Sequence, residues 1–260
     1  MGGEAGGGSW PRHRRPTGHA QTRFPEAPLP ARETRGCSRR NPPPFGAVRE
    51  GMATELPLDA PMVETLAALR EAEAACTRCP LHRNATLVVP GEGPDTARLM
   101  LVGEQPGDQE DLSGKPFVGP AGKLLDRAIA EAGIDRREVF VTNAVKHFKW
   151  EARGKRRLHK KPNAHEIERC RWWNDLERAL VKPDLVVALG ATAAASLLGR
   201  TVTLARTRGT ALTARDGTAL LVTVHPSYLL RLRGEADRTR EYAAFVADLA
   251  LAARRLRSAA

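Results

Sequence analysis

Residues 99–122 read LMLVGEQPGDQEDLSGKPFVGPAG. Four apolar residues, Leu99 to Val102, end abruptly in Gly103-Glu104-Gln105-Pro106-Gly107-Asp108, and Pro116-Phe117-Val118-Gly119 then leads into a helical pattern. A short apolar run closed by Gly and Pro is the mark of a buried strand followed by a tight turn. Three similar runs follow: Val139 to Thr142, Leu185 to Leu189 and Leu220 to Val224. Helical patterns separate most of them, at Ala121 to Ala132, Ala164 to Leu180 and Thr192 to Leu198, and a last amphipathic helix with a basic face spans Arg238 to Arg257. Strands alternating with helices imply a parallel sheet covered on both faces. The expected fold is therefore α/β, a three-layer α/β/α arrangement around a central, mainly parallel four-stranded sheet.

Open parallel sheets bind ligands beyond the carboxyl ends of their strands. That rule directs Glu104 and Asp108 from the first strand end, Asn143 from the second and His225 of His225-Pro226-Ser227 from the fourth into one crevice. Upstream, Val63, Leu66, Leu69 and Ala72 recur at helical spacing and lead into Cys76-x-x-Cys79, the spacing of a metal-ligand pair. Cys170 lies far downstream on a helix and, taken alone, reads equally well as a small buried apolar residue. So few and so uneven cysteines favour a metal site over a disulfide framework.

The first 51 residues contain 8 Pro and 9 Gly and no apolar periodicity. Such a stretch buries too little to offset its chain entropy, so a disordered basic extension is expected at 1–51, with the folded domain at 52–260. Met52 follows it directly and is an alternative translation start. The extension carries +5 of the formal +11, leaving +6 on the remainder, a surplus that suggests a polyanionic partner. No apolar stretch approaches membrane-spanning length and no signal-peptide pattern is present, so a cytoplasmic protein without membrane contact is expected.

Taken singly, Phe117 reads as core, Asn143 as a turn residue and the Gly-rich segment as an ordinary strand-to-helix turn. Together, Gly103 to Gly122 and His225-Pro226-Ser227-Tyr228-Leu229-Leu230-Arg231 closely resemble the two motifs of the iron–sulfur uracil-DNA glycosylases, a resemblance running from about Ala74 to Ala253. It implies base excision repair of uracil-containing DNA, single strands ahead of duplexes, by a monomer. Glu104 would stabilise oxocarbenium character at the sugar, Phe117 would stack on the extruded base and Asn143 would pair with its edge. His225 would stabilise the charge on the departing uracil. Gln105 and Asp108 would shape the pocket.

The resemblance also implies a 4Fe–4S cluster. Its third cysteine position is here His147, a replacement shared with family X of that branch, so the implied ligands are Cys76, Cys79, His147 and Cys170. Zinc on the same Cys3His set satisfies the same spacing, and four-cysteine ligation would need Cys37 from the extension. Between His147 and Cys170 lies Arg153-Gly154-Lys155-Arg156-Arg157-Leu158-His159-Lys160-Lys161-Pro162. A solvated basic loop touching phosphates is the plain reading of such a charge run. It also resembles the family X loop whose histidine attacks the sugar, which makes His159 the implied nucleophile and a covalent protein–DNA adduct the product, with Arg157 a substrate-binding residue that positions His159 or a phosphate. The alternatives are a turnover glycosylase of the family 4 type using water, and a non-catalytic single-strand-binding module built on a metal cluster.

Overall fold

The structure is a computed structural model that describes residues 63–258. The extension at 1–51, the boundary at 52 and Cys37 lie outside the described residues. In chain order the strands are β1 (Leu99–Gly103), β2 (Val139–Asn143), β3 (Trp150–Arg153), β4 (Arg156–His159), β5 (Leu185–Leu189), β6 (Ala211–Thr213) and β7 (Ala219–Thr223). The helices are α1 (Leu66–Ala74), α2 (Asp108–Ser113), α3 (Pro120–Glu131), α4 (Ala164–Val181), α5 (Ala191–Leu198), α6 (Leu204–Thr207), α7 (Pro226–Arg231) and α8 (Glu235–Ser258).

The central sheet runs β2-β1-β5-β7-β6. Its first four members are the four expected strands, all parallel to their neighbours; β6 adds a fifth, antiparallel strand on the β7 edge. β6 is only three residues long and half-exposed, so its sequence carries too few apolar residues to announce a strand. Along β1, Leu99 and Leu101 face one layer while Met100 and Val102 face the other, the period of two that pleating imposes. Leu125 and Ile129 of α3 with Phe245 and Leu249 of α8 cover the first face, and Ala193, Ala194 and Leu197 of α5 cover the second. No helix among the described residues is long and apolar enough to cross a membrane.

A separate two-stranded sheet, β3–β4, stands where the sequence suggested a basic loop. Arg153 pairs with Arg156 across Gly154-Lys155, and Gly154 takes φ +59, the left-handed conformation that two-residue hairpin turns demand. The charges hid the hairpin: its strands are too exposed to show an apolar alternation.

The end of β2 is anchored from below by a buried ion pair. Lys146 Nζ donates to Glu177 Oε1 (2.6 Å) and to Thr142 Oγ1 (2.5 Å), and Glu177 also accepts from Gly91 N (2.9 Å). Removing one partner of such a pair strands a buried charge, at a cost of about 3–5 kcal/mol. Asn143 therefore sits on a rigid base.

Candidate active site

Glu104 follows β1 directly. Its Oε2 accepts from Thr192 Oγ1 (2.5 Å) at the start of α5, which turns Oε1 towards the hairpin, 3.5 Å from His159 Nε2. Asn143 ends β2 with 2 % exposure, and Phe117 is buried nearby. Gly103 lets them close together: a Cβ there would stand 2.3 Å from Asn143 Oδ1 and 2.7 Å from Phe117 Cζ. Phe117 adopts φ +58, a left-handed conformation that costs an aromatic residue about 1–3 kcal/mol and clusters at ligand sites. Its ring lies 6.3 Å from that of His225 at an interplanar angle of 29°.

His225 caps α7. Its Nδ1 accepts from Ser227 N (3.2 Å) and lies 2.8 Å from Ser227 Oγ, which in turn accepts from Arg231 Nη1 (3.0 Å). Burial, with the Arg231 and His159 charges adding to it, lowers the imidazole to about 4. A neutral ring that accepts at Nδ1 must carry its proton on Nε2. His225 is therefore a fixed neutral donor.

The hairpin is tied to this crevice by side chains. Gln105 Nε2 donates to Lys149 O (3.2 Å) and Lys160 O (3.0 Å), and its Oε1 accepts from Lys149 N (3.2 Å), so one amide clamps both strands at the open end of the β3–β4 hairpin. Arg157 reaches Asp108 Oδ1 (2.6 Å) and Asp111 Oδ2 (2.5 Å). Asp111, fully buried, also takes Thr86 N on both oxygens. The pocket-shaping place expected for Gln105 and Asp108 is thus at the base of the hairpin. His159, half-exposed, has its pKa lowered, by burial first and then by Arg231, with Glu104 opposing the shift.

Glu104, Gln105, Asp108, Phe117, Asn143, His159 and His225 come together around the crevice, and all but Glu104 line a cavity of about 560 Å3. That volume suits a small planar ligand. Two larger hollows, of about 830 Å3 at the amino ends of β1 and β2 and about 930 Å3 on the outer side of Phe117, hold none of Glu104, Asn143, His159 and His225. Arg157 does not line the crevice cavity; its guanidinium lies over Phe148 and Trp150 and pairs with Asp108 and Asp111. The sequence reading missed Thr192, Asp111, Ser227 and Arg231. Asp111, sharing Gly107-Asp108-Gln109-Glu110-Asp111 with Asp108, carried the one visible hint.

The proposed metal ligands occupy a different place. Cys76, Cys79 and Cys170 are free and buried in one cluster with Leu69, Leu81, Val145 and Trp173. Trp173 Nε1 donates to Cys76 Sγ (3.1 Å) and Lys146 N to Cys170 Sγ (3.1 Å), and burial pushes the Cys170 thiol up to about 12. His147 is buried with Nδ1 lacking a partner, and burial holds it at about 4. Among the described residues, no three His, Cys, Asp or Glu side chains converge as a closed metal site.

Fold and crevice define an α/β protein with an acid, a neutral imidazole donor, an amide and an aromatic face at the strand ends. Residues 90–250 match the uracil DNA glycosylase superfamily, and the chain belongs to that family. It is 39 % identical over 176 residues to the type-4 uracil-DNA glycosylase of Thermotoga maritima, covering 67 % of this chain and 88 % of that one. The type-4 uracil-DNA glycosylase of Pyrobaculum aerophilum is 37 % identical over 180 residues, covering 65 % and 88 %.

Proposed function

We propose that this protein excises uracil from DNA and that His159 then captures the sugar. The observation that carries the second step is the approach of His159 Nε2 to within 3.5 Å of Glu104 Oε1, beside the cavity that holds Asn143 and His225. The nucleotide is drawn out of the stack, its base held against Phe117 and by the Asn143 amide. As the C1′–N bond breaks, its electron pair leaves with uracil, and the His225 Nε2–H donates to the oxygen on which that charge collects. The departing anion then takes a proton from solvent. Glu104 faces the electron-poor C1′. The Nε2 lone pair of neutral His159, in the tautomer protonated at Nδ1, forms the new C1′–N bond, and the resulting imidazolium releases its Nδ1 proton. Burial, which lowers the His159 pKa, keeps the attacking form populated at neutral pH.

A second reading has water attack C1′ and surrender its proton to Glu104, with turnover. The names of the type-4 relatives favour it. One incubation with an end-labelled uracil oligonucleotide, resolved on a denaturing gel, separates the two. An SDS- and heat-stable adduct on His159 supports capture; abasic strand exceeding enzyme supports water; no base release rejects both.

For the cluster the donor set fits. Three buried thiols share one apolar pocket, N–H groups already point at two of the sulfurs, and His147 has a buried nitrogen without a partner. Cys76, Cys79, His147 and Cys170 would hold a 4Fe–4S centre, which would cross-link α1, the segment after β2 and α4 rather than take part in base release. Iron and acid-labile sulfide analysis of anaerobically purified protein tests this; stoichiometric zinc would replace it.

A further inference from the structure

Gly107 and Gly119 cap the N-termini of α2 and α3, at φ −93 and φ −78, so neither is glycine for the sake of its backbone angles. What both lack is room. A Cβ on Gly107 would stand 2.7 Å from Glu110 Oε2, and one on Gly119 would stand 3.1 Å from Glu110 Oε1. The buried Glu110 side chain accepts from Gly107 N through Oε2 (3.0 Å) and from Gly119 N through Oε1 (2.9 Å). One carboxyl group thus supplies the missing acceptor at two helix starts. Both starts line the cavity, and each carries a neighbour of the site: Gly107 precedes Asp108, and Gly119 follows Phe117 by two residues. The first turn of α3 also braces Phe117, since a Cβ on Gly122 would collide with Phe117 O.

We propose that Glu110 is a positioning residue for base recognition, a strut that fixes the separation between the Pro106–Asp108 turn and the Phe117 ring and so sets the width of the slot the base enters. The inference rests on the reading of that cavity as the uracil pocket. Glu110 lines the cavity, but both its oxygens are taken by the two N–H groups, so it acts through Phe117.

Glu110→Gln is isosteric but offers one oxygen and one NH2 group, so one of the two N–H groups loses its acceptor. Amide hydrogen exchange at Gly107 or Gly119 should accelerate about tenfold, as the loss of one hydrogen bond to a charged group allows. In single-turnover uracil release, the half-saturating oligonucleotide concentration should rise about tenfold, while the limiting rate changes less than about threefold. In a Phe117→Ala background the same substitution should add less than about threefold, because its target is gone. Equal effects in both backgrounds, or faster exchange with unchanged half-saturation, would overturn the proposal. Should Glu110→Gln fail to fold, Gly119→Ala presses on the strut from the other side, is compatible with helix-start geometry, and must give the same pattern. A wild-type protein that releases no uracil would sink the glycosylase reading, yet the exchange measurement would still report whether the strut exists.

Discussion

The crevice and the hairpin supply the site with different kinds of order. Glu104, Asn143 and His225 stand at or just beyond the ends of β1, β2 and β7, parallel strands paired along their length and buried on both faces. His159 stands at the end of β4, in a sheet of two exposed strands that lies outside the central one and is tied to it by Gln105 and Arg157. In the proposed mechanism, breaking the glycosidic bond falls to the buried, fully paired part of the molecule. The proposed capture of the sugar falls to an appendage whose position rests on a few side chains, and such an appendage can be altered without dismantling the crevice beneath it.

Removing the proposed nucleophile should give the largest effect. In His159→Ser the adduct should vanish, while Glu104, Asn143 and His225 stay in place. Water then takes the vacant position, so the gel should show abasic product in excess of enzyme. A persistent adduct, or one mapped to Lys155, Lys160 or Lys161, would move the chemistry elsewhere on the hairpin. The mirror experiment strikes the crevice: His225→Ala removes a fixed donor to the leaving group and should slow base release by about 10²–10³. Release at the wild-type rate would mean that the Nε2–H is not aimed at the charge.

A smaller effect should come from the tether. Gln105→Ala removes three part-buried hydrogen bonds that hold both strands at the open end of the hairpin. The displaced imidazole should capture C1′ about tenfold to a hundredfold more slowly, with base release little changed. Rapid-quench measurement of uracil release beside adduct formation checks it; if both fall together, hairpin and crevice are one unit and the contrast fails.

The same contrast decides what the sequence could reveal. Leu99 to Val102 and its three counterparts sit in a sheet buried on both faces, so each strand is a plain apolar run, and the carboxyl-end rule then places Glu104, Asn143 and His225 without a structure. The hairpin gave no such signal, because Arg153 to Lys161 owes its shape to pairing across Gly154 and to partners such as Asp111, 46 residues away along the chain. Its histidine was visible only through a family resemblance. Thr192 was invisible for a related reason: it matters through one contact made in three dimensions and stands in no pattern. Ser227 and Glu110 lay inside the two motifs, but their parts depend on contacts that only the fold creates.

The subtlest separation is by pH. Both histidines have lowered pKa values, chiefly from burial, but their surroundings differ. Around His225 the charged neighbours, Arg231 and His159, add to the lowering, and it reaches about 4. Around His159 the lowering by burial is opposed by the Glu104 carboxylate rather than reinforced. Only neutral His159 has a lone pair to attack with, and that form is depleted as pH falls through its pKa. His225, lowered to about 4, keeps its neutral donor tautomer at pH 5. Wild-type protein moved from pH 7.5 to pH 5 should therefore go on releasing uracil while the product shifts, by a few-fold, from adduct towards free abasic strand. Stability sets the lower limit of the experiment: between 6.5 and about 4 the unfolded chain binds the His225 proton that the folded one refuses, so stability falls with pH across that window. Intrinsic fluorescence at each pH confirms that the protein is still folded. An adduct-to-abasic ratio that stays constant as total release declines would show that the two histidines titrate as one site, and that crevice and hairpin share a single electrostatic environment.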